Sequence, residues 1–170
     1  VLNNQLQVLN NDFASQGVSF SLQGTTRTVN ADWATNLDGA NMRRQLRQGN
    51  YDTLNVYFLT NPDGALGYCS VPFTVEPGSD AFYGDGCAVG SGTVPGGNPP
   101  YDLGKTATHE IGHWLGLPHT FDNGCSEPGD GIDDTPYEAQ ATFGCPVGQD
   151  SCPDQEGLDP IQNFMDYTDE

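Results

Sequence analysis

Leu2, Leu6, Leu9 and Phe13 recur at steps of three and four residues, with Asn and Gln on the other positions. That spacing lines one face of a helix, so a helix is expected over residues 1–14, stopped by Gly17. Val18, Phe20 and Leu22 then alternate with Ser and Gln, which predicts a strand, and a second strand is expected over Thr26–Asn30. Asp38 is placed to cap a helix that turns Met42 and Leu46 inward and ends near Gly49. Thr53–Leu59 is rich in β-formers and is expected to be a central strand, followed by a turn at Asn61-Pro62-Asp63-Gly64. Ala65 to Pro100 is loop-rich, with room only for short strands near Leu66–Ser70 and Cys87–Val89. Tyr101–Gly116 has the periodicity of a second strong helix, with Asp102 near its start. Beyond His119 the texture changes to Asp, Gly, Pro and three cysteines without helical periodicity. The chain is therefore expected to divide into residues 1–119 and residues 120–170. No segment repeats.

Composition narrows the function classes. The longest aliphatic-aromatic run is Val56–Leu59, far below the ~20 residues of a membrane-spanning helix. The 170 residues carry 23 Asp and Glu against 5 Lys and Arg, a net charge of −18. Lys105 is the sole lysine, and Arg43, Arg44 and Arg47 share one short helical stretch. Nucleic-acid phosphates and anionic membranes need clustered cations, so both are disfavoured, whereas metal ions and basic peptides suit the field of this chain. Five cysteines point to secretion, and a start at Val1 without a signal peptide reads as a mature or trimmed form. The odd cysteine count needs either a free thiol or a partner outside the chain. The sequence contains no Asn-X-Ser/Thr sequon. Gly90–Gly97 lacks the Gly-Lys-Ser/Thr ending of a phosphate loop, so it reads as a plain connector.

The chemistry is concentrated in His109-Glu110-Ile111-Gly112-His113-Trp114-Leu115-Gly116-Leu117-Pro118-His119. His109 and His113 are four apart, so on a helix both rings face one way and can grip one ion. Imidazole nitrogens suit Zn²⁺, and a catalytic zinc needs three protein ligands with one open position. Gly116 can take a left-handed conformation that ends the helix, Pro118 cannot continue it, and the turn can return His119 as third ligand. Glu110 lies beside the metal and can take a proton from a zinc-activated water. A lone histidine is usually a packing or surface residue. Here all 3 histidines of the chain occupy ligand positions.

This stretch resembles the metzincin clan of zinc endopeptidases. Asn163-Phe164-Met165-Asp166-Tyr167 is similar to the Met-turn of that clan. Thr106-Ala107-Thr108, Trp114-Leu115-Gly116-Leu117, His119-Thr120-Phe121, Asp133-Asp134-Thr135-Pro136 and the Met-turn residues through Thr168 resemble the pappalysin family, in its secreted fungal and bacterial form. The likeness is strongest over residues 101–121. It implies an α+β, metzincin-like zincin: a twisted mixed sheet with backing and active-site helices above a cleft, and an irregular disulfide-linked lower lobe. Residues 1–119 would be the upper lobe with the active-site helix, and 120–170 the lower lobe with the Met-turn. Met165 would form the hydrophobic floor beneath the metal, and Tyr167 could steady the oxyanion of the tetrahedral intermediate. Family members continue past the Met-turn, so the catalytic domain is expected to lack its C-terminal end at Glu170.

Cys69 and Cys87 flank a loop of about 19 residues, whose closure is worth roughly 3 kcal/mol. Two bridges among five cysteines leave many connectivities open. The pappalysin pattern suggests Cys125–Cys152, with Cys145 paired beyond Glu170. Asp130, Asp133 and Asp134, with the backbone of Thr135, are hard oxygen donors in a Gly-rich loop and are candidates for Ca²⁺, which the family resemblance also implies. The expected activity is that of a secreted, monomeric, zinc-dependent endopeptidase acting on proteins or peptides. Its substrate would lie extended along an edge strand, for which Leu66–Ser70 is the candidate. Some pappalysins prefer Arg or Lys after the cleaved bond, and Asp169 and Glu170 are the acids available beyond the Met-turn to read it. The competing readings are a non-catalytic secreted zinc- and calcium-binding module and a peptidase of another metzincin branch. Glu110 argues against the first, because a structural zinc needs no general base.

Overall fold

The computed structural model describes residues 1–169. Its packing separates the chain into two compact units, Val1–Leu115 and Gly116–Glu170, whereas the lobe boundary expected from the sequence lies at His119/Thr120. In the first unit the elements run α1 (Leu2–Asp12), α2 (Ala31–Ala34), α3 (Gly39–Leu46), β1 (Val56–Leu59), β2 (Gly67–Cys69), α4 (Asp80–Gly84), β3 (Cys87–Gly90) and α5 (Lys105–Trp114). Among the described residues the strands form one mixed sheet of order β1-β3-β2, with β1 parallel and β2 antiparallel to β3. The fold is α+β, as expected.

One core cluster joins Leu9 and Phe13 near the end of α1, Cys87 and Val89 of β3, and Ala107 and Ile111 of α5. These are the apolar positions of the 1–14 and 101–116 helical patterns, so α1 and α5 meet on one face of β3. A second cluster joins Met42 of α3, Tyr57 and Leu59 of β1 and Ala88 of β3. Successive β3 residues thus feed opposite clusters, as the pleat requires, and all four are buried. Burial of both faces explains why its sequence is apolar without alternation.

Several local expectations are corrected. β3, not the Thr53–Leu59 strand, is central, because it alone among the described strands pairs on both edges. Val18–Leu22 and Thr26–Asn30 form no strand. Asn10 takes up the backbone of Phe20 instead, with Phe20 N donating to Asn10 Oδ1 at 2.6 Å and Asn10 Nδ2 donating to Phe20 O at 3.0 Å. A side-chain amide thereby satisfies groups that a strand partner would otherwise need to meet. α5 begins at Lys105 rather than Tyr101. Gly104 has φ 87°, which a right-handed helix cannot contain, and the Asp102 carbonyl is occupied by Gly96 N at 2.8 Å. Two short helices escape the periodicity argument and declare themselves by their caps. Asn30 Oδ1 accepts from Asp32 N and Trp33 N, and Ser79 Oγ accepts from Phe82 N.

The second unit contains neither helix nor strand among its described residues; turns and bends carry the chain. The Cys125–Cys152 disulfide, with Cα atoms 5.5 Å apart, cross-links it. Glu138 is fully buried and accepts from Thr120 Oγ1 at 2.7 Å and Thr142 Oγ1 at 2.6 Å. Thr142 N donates to Asp166 Oδ1 at 3.0 Å, and Thr120 N to the Met165 carbonyl at 3.3 Å. Asp159 is bound by Gln149 Nε2 at 2.7 Å and by Ser151 N at 2.9 Å. Buried carboxylates and their donors replace the apolar core that this stretch lacks.

Candidate metal centre

α5 carries the first two histidines, and its placement is strongly determined. Ile111 and Ala107 are buried in the apolar core. Near its start, Asp12 pairs with Lys105 Nζ at 2.6 Å and accepts from Thr108 Oγ1 at 2.7 Å, while Gln5 Nε2 donates to the Gly104 carbonyl at 2.8 Å. At its end, Trp114 Nε1 donates to Asp85 Oδ1 at 2.9 Å. Asp85 is itself ion-paired with Arg47 at 3.0 Å, both side chains being 1% exposed. An ion pair so deeply buried is costly to break by removing one partner, so it makes a stiff anchor for Trp114.

His109 and His113 Nε2 atoms lie 3.1 Å apart on one face of α5. The helix ends as anticipated: Leu115 follows as the cap, and Gly116 has φ 101°, a conformation that suits glycine and no bulkier residue. Ligand nitrogens of His109, His113 and His119 all lie within 4.8 Å of one another. His119 N donates to Asp122 Oδ2 at 3.3 Å. The His119 ring stacks on Phe121 with centroids 4.7 Å apart and meets Tyr167 edge-on at 5.0 Å. Three imidazoles converging this closely fit the donor set of a zinc site.

Glu110 projects from the same helix turn and is 6% exposed. Burial raises its carboxyl from 4.5 to about 7, the range in which a carboxyl can both take and return a proton at neutral pH. The remaining expected residues are distributed as follows. Met165 is buried and Tyr167 half-exposed at 39%. Cys69–Cys87 and Cys125–Cys152 are bridged, and Cys145 is exposed and unpaired among the described residues. Asp130 Oδ1 accepts from Ile132 N at 2.9 Å, and Asp133 and Asp134 are exposed. The three histidines are the sole group of His, Cys, Asp or Glu side chains at metal-holding spacing among the described residues. Asp169 is exposed, and Glu170 lies outside the described residues.

Residues that sequence reasoning missed are those that hold the helix: Asp12, Asp85 and Gln5. Asp12 sits at the end of a helix already recognised, and its acid opposite the sole lysine was a usable signal. Nothing local marked Asp85, because its partners Arg47, Ser70 and Trp114 come from three distant segments.

Fold and histidine site together define a metzincin-like zincin. Over residues 98–170 the chain matches the model of the Peptidase_M43 family, described as pregnancy-associated plasma protein-A, in agreement with the pappalysin resemblance. It is 54% identical over 169 residues to an extracellular metalloprotease of Colletotrichum graminicola, covering 99% of this chain and 60% of that protein. An extracellular metalloprotease of Verticillium alfalfae is 56% identical over 170 residues, with 99% and 62% covered. Among solved structures, mature mirolysin of Tannerella forsythia in complex with a cleaved peptide superposes with a TM-score of 0.77 at 28% identity, covering 98% of this chain and 76% of that one. The chain thus spans about 60% of the length of the curated relatives it matches. Their names agree with the extracellular location expected from the cysteines, and no described helix is long and apolar enough to cross a membrane.

Proposed function

We infer that this chain is the catalytic part of an extracellular zinc-dependent endopeptidase. The observation that carries the reading is the convergence of three histidine ligand nitrogens within 4.8 Å beside a buried carboxyl, Glu110. His109, His113 and His119 would hold the ion. Zinc so bound supplies Lewis-acid polarisation of a carbonyl and lowers the pKa of a water. Glu110 accepts a proton from the attacking water on its carboxylate and later returns it to the leaving amine. The peptide lies extended along β2, which offers a sheet edge for backbone pairing; the cleaved peptide held by mirolysin supports a ligand of this class. Tyr167, whose ring is 5.0 Å from that of His119, donates to the developing oxyanion, and Met165, itself buried, takes the floor role that the Met-turn likeness implies.

Two finer elements complete the reading. The oxygen donors of Asp130, Asp133, Asp134 and Thr135 take up calcium, a role supported by hard-ligand chemistry in a Gly-rich loop. Asp169 and Glu170 favour Arg or Lys after the cleaved bond, in keeping with the net charge of −18.

Metal analysis with casein cleavage tests the core of the proposal. Glu110→Ala should retain one zinc and lose about 10²–10⁴-fold in rate; native rates in a zinc-loaded Glu110→Ala would remove the general base. Cleavage of a peptide library reads the basic preference, and indifference to Arg and Lys on the leaving side ends that part. Calcium chelation should lower the melting temperature; an unchanged transition ends the calcium assignment.

A further inference from the structure

β2 meets α5 at one point with no room for a side chain. Gly67 is the first residue of β2 and pairs with Val89 of β3. Its backbone does not adopt the left-handed conformation that calls for glycine. The requirement is spatial: a Cβ at residue 67 would lie 2.7 Å from Glu110 Cγ, 2.9 Å from Oε1 and 3.0 Å from Cδ. Heavy atoms do not approach so closely without displacement, so one of the two partners must move.

Neither backbone is free to do so. Leu66 O accepts from Gly90 N at 2.7 Å on one side of Gly67. On the other, Cys69 is bridged to Cys87 across the same strand pair, with Cα atoms 4.1 Å apart. α5 is held by Ile111 in the core, by Asp12 near its first turn and by Asp85 at its end. The Glu110 side chain is therefore the part that yields, and at 6% exposure it has few places to go.

We propose that Gly67 is a positioning residue for the reaction, its missing side chain forming the slot that holds the Glu110 carboxylate in working position. The inference rests on the reading of Glu110 as general base. It makes one strand serve two purposes: β2 offers its edge to the peptide, and it sets where the base stands relative to that peptide. Gly67 itself touches no reacting atom.

The test measures kcat and KM on a quenched fluorescent peptide, with zinc content and melting temperature, for the native chain, Gly67→Ala, Glu110→Ala, Glu110→Asp and Gly67→Ala/Glu110→Asp. Gly67→Ala should keep its zinc and lose about 10- to 100-fold in kcat, the scale of a misplacement of about 1 Å, while KM changes less than about threefold. Glu110→Asp withdraws the carboxylate by one methylene, so adding Gly67→Ala to it should cost little more. That departure from additivity reports contact between the two side chains, and a merely structural glycine would not produce it. A native kcat in Gly67→Ala overturns the proposal, as do multiplicative effects in the double variant or a rate loss that follows zinc loss or unfolding. Should Gly67→Ala melt early, the double variant must regain the native transition, or crowding against Glu110 is not the reason. If Glu110→Ala is fully active, the base assignment itself fails. If Glu110→Ala is inactive and Gly67→Ala is native, only the present inference fails.

Discussion

Val1–Leu115 and Gly116–Asp169 solve the same problem with opposite chemistry. In the first unit the fully buried positions include Ile111, Val89 and Cys87, and the deepest charges form a pair, Arg47 with Asp85. In the second, Glu138 and Thr120 are buried as deeply as those residues. The carboxylates Glu138, Asp159 and Asp166 have neutral hydrogen-bond partners. Desolvation raises the Glu138 and Asp166 carboxyls, and repulsion from Asp159 adds to it. A stretch poor in apolar residues can still order its interior when its buried acids accept hydrogen bonds from neighbouring groups and a disulfide limits the unfolded ensemble. The cost is a dependence of this unit's stability on the protonation of Glu138 and Asp166.

The contrast can be broken most strongly in the apolar unit. Ile111→Ala removes a fully buried side chain from the contact of α5 with α1 and β3, and should cost about 4 kcal/mol in urea unfolding. Next, Cys125→Ser/Cys152→Ser opens a bridge spanning 27 residues. It should cost about 3 kcal/mol, with new proteolytic cuts confined to residues beyond Gly116; cuts spread evenly over the chain would erase the distinction between the units.

Glu138→Ala leaves the Thr120 and Thr142 hydroxyls buried without their acceptor and should cost about 2 kcal/mol. The pH dependence sharpens the point. The folded Glu138 carboxyl is raised above its ordinary 4.5, so the folded state holds that proton more tightly than the unfolded chain does. The associated stability is fully present below pH 4.5 and is lost as pH rises through the raised folded value. Glu138→Gln should flatten that fall, which urea titrations across the window would detect; an unchanged slope would assign it to other groups. Smallest, Asp12→Ala removes one part-exposed ion pair and one hydrogen bond at the start of α5 and should cost about 1 kcal/mol.

Legibility from sequence followed the range of the interaction. The helix over residues 1–14, the strands near Leu66–Ser70 and Cys87–Val89, the left-handed Gly116 and the three-histidine set were all readable, because each depends on residues within a turn or two of one another. The strand expected at Val18–Leu22 was not, since its alternation was real but Asn10 supplied the backbone partners. The start of α5 was misplaced because Gly104 and the Asp102 carbonyl belong to the preceding loop. The central place of β3 needed the pairing partners of a four-residue segment with no distinguishing pattern.

What the chain determined by itself is the chemistry: imidazoles at positions 109, 113 and 119, the acid at 110, and a glycine that turns the chain between the second and third histidine. These follow from helical periodicity and one backbone conformation, both local properties of sequence. Only the tertiary structure decided how the acid is environed. The burial that lifts the Glu110 carboxyl to about 7 and the glycine that leaves it room come from packing β2 against α5. Contacts between residues more than forty positions apart leave no local periodic trace in the sequence.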